Sequence, residues 1–216
     1  MDENRIYESL RHAMVKQHIE NRGIDDPKVL GAMRKVPRHL FVSQGFRDIA
    51  YEDYPLPIGE EQTISQPFII AKMTQALELK PGDSVLEIGA GSGYQAAILS
   101  EIVSRVYTVE RIESLLLKTQ KLLKNLGYNN ITTKLCDGTT GWPDKSLFDA
   151  IIVTAAAPQI PEDLLSQLSE NGRMVIPVGG VSVQDLLQIQ KHGTDIKATN
   201  LCGCRFVKLI GKYGWK

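Results

Sequence analysis

The chain has no excess of charge of either sign: 25 Lys and Arg stand against 25 Asp and Glu. A protein without a net field is not drawn to polyanions, so charge argues against DNA, RNA or an acidic membrane face as a partner. No apolar run is long enough to cross a bilayer. The first twenty residues, MDENRIYESLRHAMVKQHIE, are charged throughout where a secretion signal needs an apolar stretch. Cysteine is scarce as well: Cys136, Cys202 and Cys204 make an odd number, and a single glycine between the last two suits neither a zinc ligand pair nor an easy disulfide. These absences predict a cytoplasmic protein with reduced, structural thiols and no metal site. There is no internal repeat, no low-complexity tract and no linker long enough to separate domains. With 216 residues, 43% of them hydrophobic, the chain suits one domain with appendages.

What is present divides into three stretches of that one domain: helices and an irregular loop over 1–64, a core over 65–180, and a closing set of strands over 181–216. In the first stretch Asp25-Asp26-Pro27 sets a capping carboxylate before a proline suited to the first helical turn. Apolar Val29, Leu30, Met33 and Val36 follow, and Pro37 ends the helix. From Phe41 to Ile64 the breakers Gly45, Pro55, Pro57 and Gly59 predict irregular chain. After Pro81-Gly82 the runs SVLEI, RVYTV, ITTKL, DAIIVTA and GRMVIPV read as strands, with YQAAILSEI, ESLLLKTQKLLKNLG and PEDLLSQL as the helices between them. Helical crossovers impose parallel strands covered on both faces, which predicts an α/β, Rossmann-like doubly wound sheet. VQDLLQIQK, DIKATNL and CRFVKLI lack intervening helices and predict antiparallel or edge strands that complete the sheet.

The chemistry starts at Val85-Leu86-Glu87-Ile88-Gly89-Ala90-Gly91-Ser92-Gly93-Tyr94. A strand entering a glycine-rich turn before a helix presents backbone N–H groups to a ligand that approaches closer than a Cβ permits. A dinucleotide fingerprint needs glycine or alanine where Tyr94 stands. Glu87 at the strand end would also sit badly beside a pyrophosphate but well beside a cation. S-adenosylmethionine carries an ammonium and a sulfonium, has no phosphate, and offers a ribose and an adenine to the next strands. Glu110, about twenty residues on, suits the ribose hydroxyls, and Asp137-Gly138 after the third strand suits the adenine amino group. Each has a plainer reading: a tight turn for Gly89, Gly91 and Gly93, a helix-start acid for Glu110, a turn former for Asp137. Their convergence at the ends of three successive strands favours the cofactor site, with Ser92 and Gly138 beside them.

QTISQPFIIAKM, VLEIGAGSGYQAAIL, CDGTTGWPDKSLFDAIIVTAAAPQIPEDLLSQL, GRMVIPVG and RFVKLIGKYGW occur in the order and spacing of the protein-L-isoaspartate O-methyltransferases, which the chain resembles over nearly its whole length. The resemblance implies a class I methyltransferase that acts on the α-carboxyl of L-isoaspartyl residues in damaged proteins and peptides. The ester then closes to a succinimide, whose hydrolysis returns some aspartate. It further implies that Ser65 orients the acceptor, that Thr63 and Ile64 line the junction with the cofactor, and that Phe206 and Val207 contact the peptide. Lys208 stands where the family usually has proline, which would remove a donor and fix φ. A carboxylate acceptor is ionised at neutral pH and needs no general base, in keeping with histidines (His12, His18, His39, His192) that lie away from these segments.

Two roles are open for Ser65: N-cap of a helix over PFIIAKMTQALEL, or contact with the acceptor. The segment PLPIGEEQTISQP is the expected lid, stiffened by Pro55 and Pro57 and bent at Gly59. The competing functions are methylation of a small carboxylate or RNA, a cofactor-binding module without catalysis, and, more distantly, a nicotinamide dehydrogenase. A monomer is expected.

Overall fold

A computed structural model describes residues 3–145 and 147–216. Helix α1 (Glu3–Met14) runs through a π turn at Val15–Ile19 and a 3-10 turn at Glu20–Arg22 before Gly23 reverses the chain. Helix α2 (Pro27–Lys35) begins as its sequence dictates: Asp26 accepts the Lys28 N–H at 2.8 Å, and Pro27 takes the first turn. Its buried face, Val29, Leu30, Ala32 and Met33, joins a core shared with helices α3 (Pro67–Ala76) and α4 (Tyr94–Ser100).

The irregular stretch between α2 and α3 contains a hairpin, β1 (Leu56–Gly59) and β2 (Gln62–Ile64), turned at Glu60 and Glu61 with φ of 52° and 57°. This differs from expectation, because such turns normally take Asn or Gly and Glu-Glu conceals them.

The main sheet follows. Strands β3 (Ser84–Ile88), β4 (Arg105–Glu110), β5 (Ile131–Leu135), β6 (Phe148–Val153), β7 (Leu168–Gly179), β8 (Gln184–His192) and β9 (Asp195–Cys204) lie in the order β5-β4-β3-β6-β7-β8-β9. The pairs from β5 to β7 are parallel; β7–β8 and β8–β9 are antiparallel. Helices α4, α5 (Glu113–Asn125) and α6 (Glu162–Ser166) supply crossovers. Separate apolar clusters cover the two faces: Val85, Val106, Ala150 and Val175 point into one, and Leu86, Tyr107, Ile151 and Met174 into the other. This is the period-two alternation of a strand buried on both sides. The order reverses at β3, whose chain continues to β4 on one side while β6 pairs on the other, so a crevice opens at its carboxyl end.

CRFVKLI also differs from expectation: it is not a strand of the sheet. β8 and β9 already occupy the edge beyond β7, and the returning chain touches the end of β6 through one residue. Val207 O accepts the Ala156 N–H at 2.7 Å, and the Leu209 N–H donates to Ala156 O at 2.8 Å. All three cysteines are unpaired. Among the described residues no helix is long and apolar enough to cross a membrane.

One ion pair fastens β7 to the turn before β3. Arg173 Nη2 lies 2.5 Å from Asp83 Oδ2, both residues almost wholly buried, and the same carboxylate oxygen accepts the Lys80 N–H at 3.0 Å. Asp83→Ala strands a buried guanidinium and is expected to lower stability by roughly 3–5 kcal/mol, read as the midpoint of denaturant unfolding. Adding Arg173→Met should recover most of that loss; no recovery would show that the pair is not what the sheet loses.

Candidate active site

The carboxyl ends of β3, β4 and β6 form the floor of a cavity of about 850 Å³, part of it open to solvent. The β1–β2 hairpin and Ser65 bound it on one side and residues 207–210 on another. Its deepest polar group is Glu87. The residue is fully buried. Oε2 accepts the Thr108 hydroxyl at 2.5 Å from the neighbouring register position on β4, and Oε1 has no hydrogen-bond partner. Burial pushes this carboxyl up from the ordinary 4.5 to about 8. The Thr108 hydroxyl and the Ala96 N–H, which faces the carboxylate without completing a hydrogen bond to Oε1, oppose the shift, and the nearby Glu110 charge adds to it. A buried acceptor left half unpaired costs free energy unless a donor arrives.

The glycine loop does something other than present free donors. Gly89 and Ala90 both donate to Val109 O, at 2.9 and 3.0 Å, and Gly93 donates to Ala90 O at 2.7 Å. Gly91 donates to Glu110 Oε2 at 3.0 Å, while Glu110 Oε1 accepts the Arg111 and Ile112 N–H groups at 2.9 and 3.0 Å. The donors of Gly89, Ala90, Gly91 and Gly93 are therefore spent within the protein, and a pyrophosphate would find little to hold it. Glu110 retains acceptor capacity, since a carboxylate offers about four lone-pair directions. Gly89 is required on two counts: its φ is 97°, and a Cβ there would lie 2.5 Å from Thr154 Oγ1.

Gly89, Gly91, Ser92, Glu87, Glu110 and Gly138 line the cavity together with Thr63, Ile64, Ser65 and Val207. Three expected residues stand outside the lining. Gly93 turns the chain into α4 at φ 85° and packs against Thr119. Phe206 packs against the core and donates its N–H to Gln184 Oε1 at 2.9 Å. Asp137 is taken up by the fold. Oδ1 accepts the Thr139 N–H and hydroxyl at 2.8 and 2.7 Å, Oδ2 accepts the Lys212 N–H at 2.7 Å, and these bonds hold the carboxyl below its usual range against the effect of burial. Its carboxylate thus anchors the C-terminal segment, does not line the cavity, and, like Glu110, keeps a lone pair beyond its three bonds.

Sequence reasoning missed Thr154, whose hydroxyl lies 2.9 and 2.8 Å from the Ile88 and Gly89 carbonyl oxygens, and Ile58, the roof contact over Gly91. The TAAAP segment held the signal for the first; the second needed the hairpin. It missed Arg38 as well. Fully buried, Arg38 donates from Nε to Ala50 O at 2.7 Å and from Nη2 to Ser65 O at 2.8 Å.

S-adenosylmethionine fits this set on two observations: an orphaned buried carboxylate oxygen calls for a cationic donor, and a cradle of glycines has its own donors already satisfied. A doubly wound sheet with carboxylates on its rim in place of free phosphate-binding N–H groups defines a Rossmann-like methyltransferase dependent on that cofactor. The family model described as Protein-L-isoaspartate(D-aspartate) O-methyltransferase (PCMT) matches residues 9–214. A protein-L-isoaspartate O-methyltransferase of Desulfosudis oleivorans is 61% identical over 210 residues, covering 97% of this chain and 95% of that protein. One of Syntrophotalea carbinolica is 53% identical, covering 97% of each. Among solved structures, a protein-L-isoaspartate O-methyltransferase superposes with a TM-score of 0.85 at 28% identity over 96% of this chain and 67% of that one. A Plasmodium falciparum relative in complex with S-adenosyl-L-homocysteine gives 0.79 at 27% identity over 93% and 98%. The chain belongs to the protein-L-isoaspartate(D-aspartate) O-methyltransferase family.

The raised Glu87 has two consequences of definite sign. Between about pH 4.5 and 8 the folded chain keeps a proton that the unfolded chain has released, so this group's contribution to stability falls as pH rises through that window. A cationic ligand needs the carboxylate, so binding expels the proton and affinity rises with pH, by up to about tenfold per unit below pH 8. Calorimetric titration with S-adenosylhomocysteine in buffers of different ionisation enthalpy should show proton release, and Glu87→Gln should abolish it. A pH-independent affinity in the wild type would remove Glu87 from the binding of the ammonium.

Proposed function

We propose that this chain moves the methyl group of S-adenosylmethionine onto the α-carboxyl of L-isoaspartyl residues in damaged proteins and peptides, with Ser65 orienting the acceptor. The observation that carries the assignment is the state of Ser65. It is not a helix cap: α3 starts at Pro67, its N-cap is Gln66, and no side chain caps it. The Ser65 side chain is half-buried, lines the cavity that holds Glu87, and its hydroxyl has no hydrogen-bond partner among the described residues. A free hydroxyl held in a cavity is poised for an external partner.

When bound, S-adenosylmethionine supplies a methyl on a cationic sulfur. Glu87 would hold the ammonium, Glu110 would accept from the ribose hydroxyls with its remaining lone pair, and the glycine turn would admit the cofactor close to the backbone. Thr63 and Ile64 border the junction between cofactor and acceptor. The acceptor arrives ionised, so the chain needs to move no proton, and none of the cavity-lining residues is a histidine. Its work is alignment and the exclusion of water, and orientation alone can be worth roughly 7–11 kcal/mol in favourable systems. The hairpin is placed to keep water out. Ile58 covers Gly91, and at the tip Glu60 Oε1 accepts the Ser114 hydroxyl at 2.7 Å, which pins the hairpin to α5. Unpaired thiols suit the cytoplasm.

Paired synthetic peptides test the activity. Labelled cofactor should mark the isoaspartyl peptide and leave the aspartyl one unmarked; equal labelling of the two, or transfer to RNA or small acids instead, would overturn the reading. For Ser65→Ala, loss of one hydrogen bond to a charged group predicts turnover lower by about 10- to 100-fold. Cofactor affinity should be preserved and stability changed by less than about 0.5 kcal/mol. Unchanged turnover would leave Ser65 without a role in transfer.

A further inference from the structure

The segment after β9, RFVKLIGKYGWK, carries Arg205, Lys208, Lys212 and Lys216 and no acidic side chain. The charges of the chain cancel only as a whole, and this segment concentrates four of its cations. All four cations are exposed, and among the described residues none takes part in an ion pair. Lys212 feels the charges of Asp163 and Asp137, whereas Lys208 has no acid bonded to it among the described residues.

The segment is held firmly. Ala156 bonds to Val207 O and to the Leu209 N–H, and Ala156 O also accepts the Trp215 indole N–H at 3.0 Å. Lys208 therefore sits on an anchored backbone, lines the same cavity as Ser65, and has its Nζ 5.6 Å from the Trp215 ring centroid. Stacking on one ring leaves the ammonium its other donors.

We propose that Lys208, on the rim of the cavity, determines substrate preference: it favours isoaspartyl sites flanked by aspartate or glutamate. The inference rests on the methyl-transfer reading and deepens it. An acceptor carboxyl delivered to Ser65 places the next substrate residues about 3.3–3.6 Å apart along the chain, within reach of a lysine at the cavity wall. An exposed pair of this kind adds little individually, so the discrimination is modest and salt-sensitive, and the surrounding charges act on encounter more than on release.

The test uses full-length protein and isoaspartyl peptides alike except for Glu, Gln or Lys at the positions flanking the isoaspartyl residue. In the wild type, kcat/KM should favour the Glu over the Gln peptide by about two- to fivefold at low salt, with the Lys peptide poorest, and the ratio should shrink at high salt. In Lys208→Gln the Glu-to-Gln ratio should fall toward one; Lys208→Arg should keep it. A wild-type ratio of one, or an undiminished ratio in Lys208→Gln, overturns the proposal while leaving the activity in place. Transfer to no isoaspartyl peptide removes the activity and the proposal together. Inhibition by RNA that Lys208→Gln relieves, with no charge preference among peptides, would assign the rim to nucleic acid and overturn it too.

Discussion

A carboxylate kept from water at the end of the central strand is the constraint around which this molecule is arranged. Glu87 lies fully buried, with one oxygen on Thr108 and the other without a hydrogen bond. A sheet tolerates such a group only where something else offsets its desolvation, and here the free chain lowers the cost by holding a proton on it. The placement follows from the order of strands. β3 is flanked by β4 and β6 and buried on both faces, so its last side chains have no route to solvent except the crevice at the switch point. The cost of burying Glu87 and its place on the cavity wall therefore have the same source.

The sign of the ligand is fixed again by hydrogen-bond accounting in the loop that follows. A glycine turn before a helix can hold phosphate when its N–H groups are open. Here Val109 O, Ala90 O and Glu110 take the donors of Gly89, Ala90, Gly91 and Gly93. Glu110 is thus a fastener of the loop that lies on the cavity wall, and its loss would loosen the cradle. Donors spent in this way leave the loop little to offer a phosphate, a distinction that the spacing of glycines alone conveys poorly.

How much of this could be read in the residues depends on how local the cause is. SVLEI and ITTKL are strands from end to end as written, because a short β-rich run bounded by turn residues dictates its own conformation. The Asp26 cap is equally local. The hairpin is hidden because Glu60 and Glu61 adopt a left-handed conformation that their residue type does not announce. RFVKLI has the pattern of a strand, but the sheet edge is already taken by β8 and β9, a fact of topology. The place of Asp137 is hidden for a related reason. Its acceptor capacity is evident, but the Lys212 N–H that claims one oxygen lies 75 residues further along the chain.

Arg38 shows the same limit at the site itself and explains why the N-terminal helices belong to the machinery. The guanidinium is wholly buried, with no carboxylate bonded to it, and burial lowers it to about 10 while leaving it charged at neutral pH. It stacks 5.0 Å from the centroid of Tyr94, a cavity-lining ring, and sends one hydrogen bond to Ala50 O and another to Ser65 O. Hydrogen bonds from a charged donor are about twice as strong as neutral ones, so Ser65 is held through its backbone while its hydroxyl stays free. A side chain that must align an acceptor to within a fraction of an ångström needs a fixed main chain beneath it. The main chain at Ser65 is fixed from the segment before the hairpin, whereas Glu87 is carried by the sheet, so one cavity is built from two parts of the fold that the sequence presents separately.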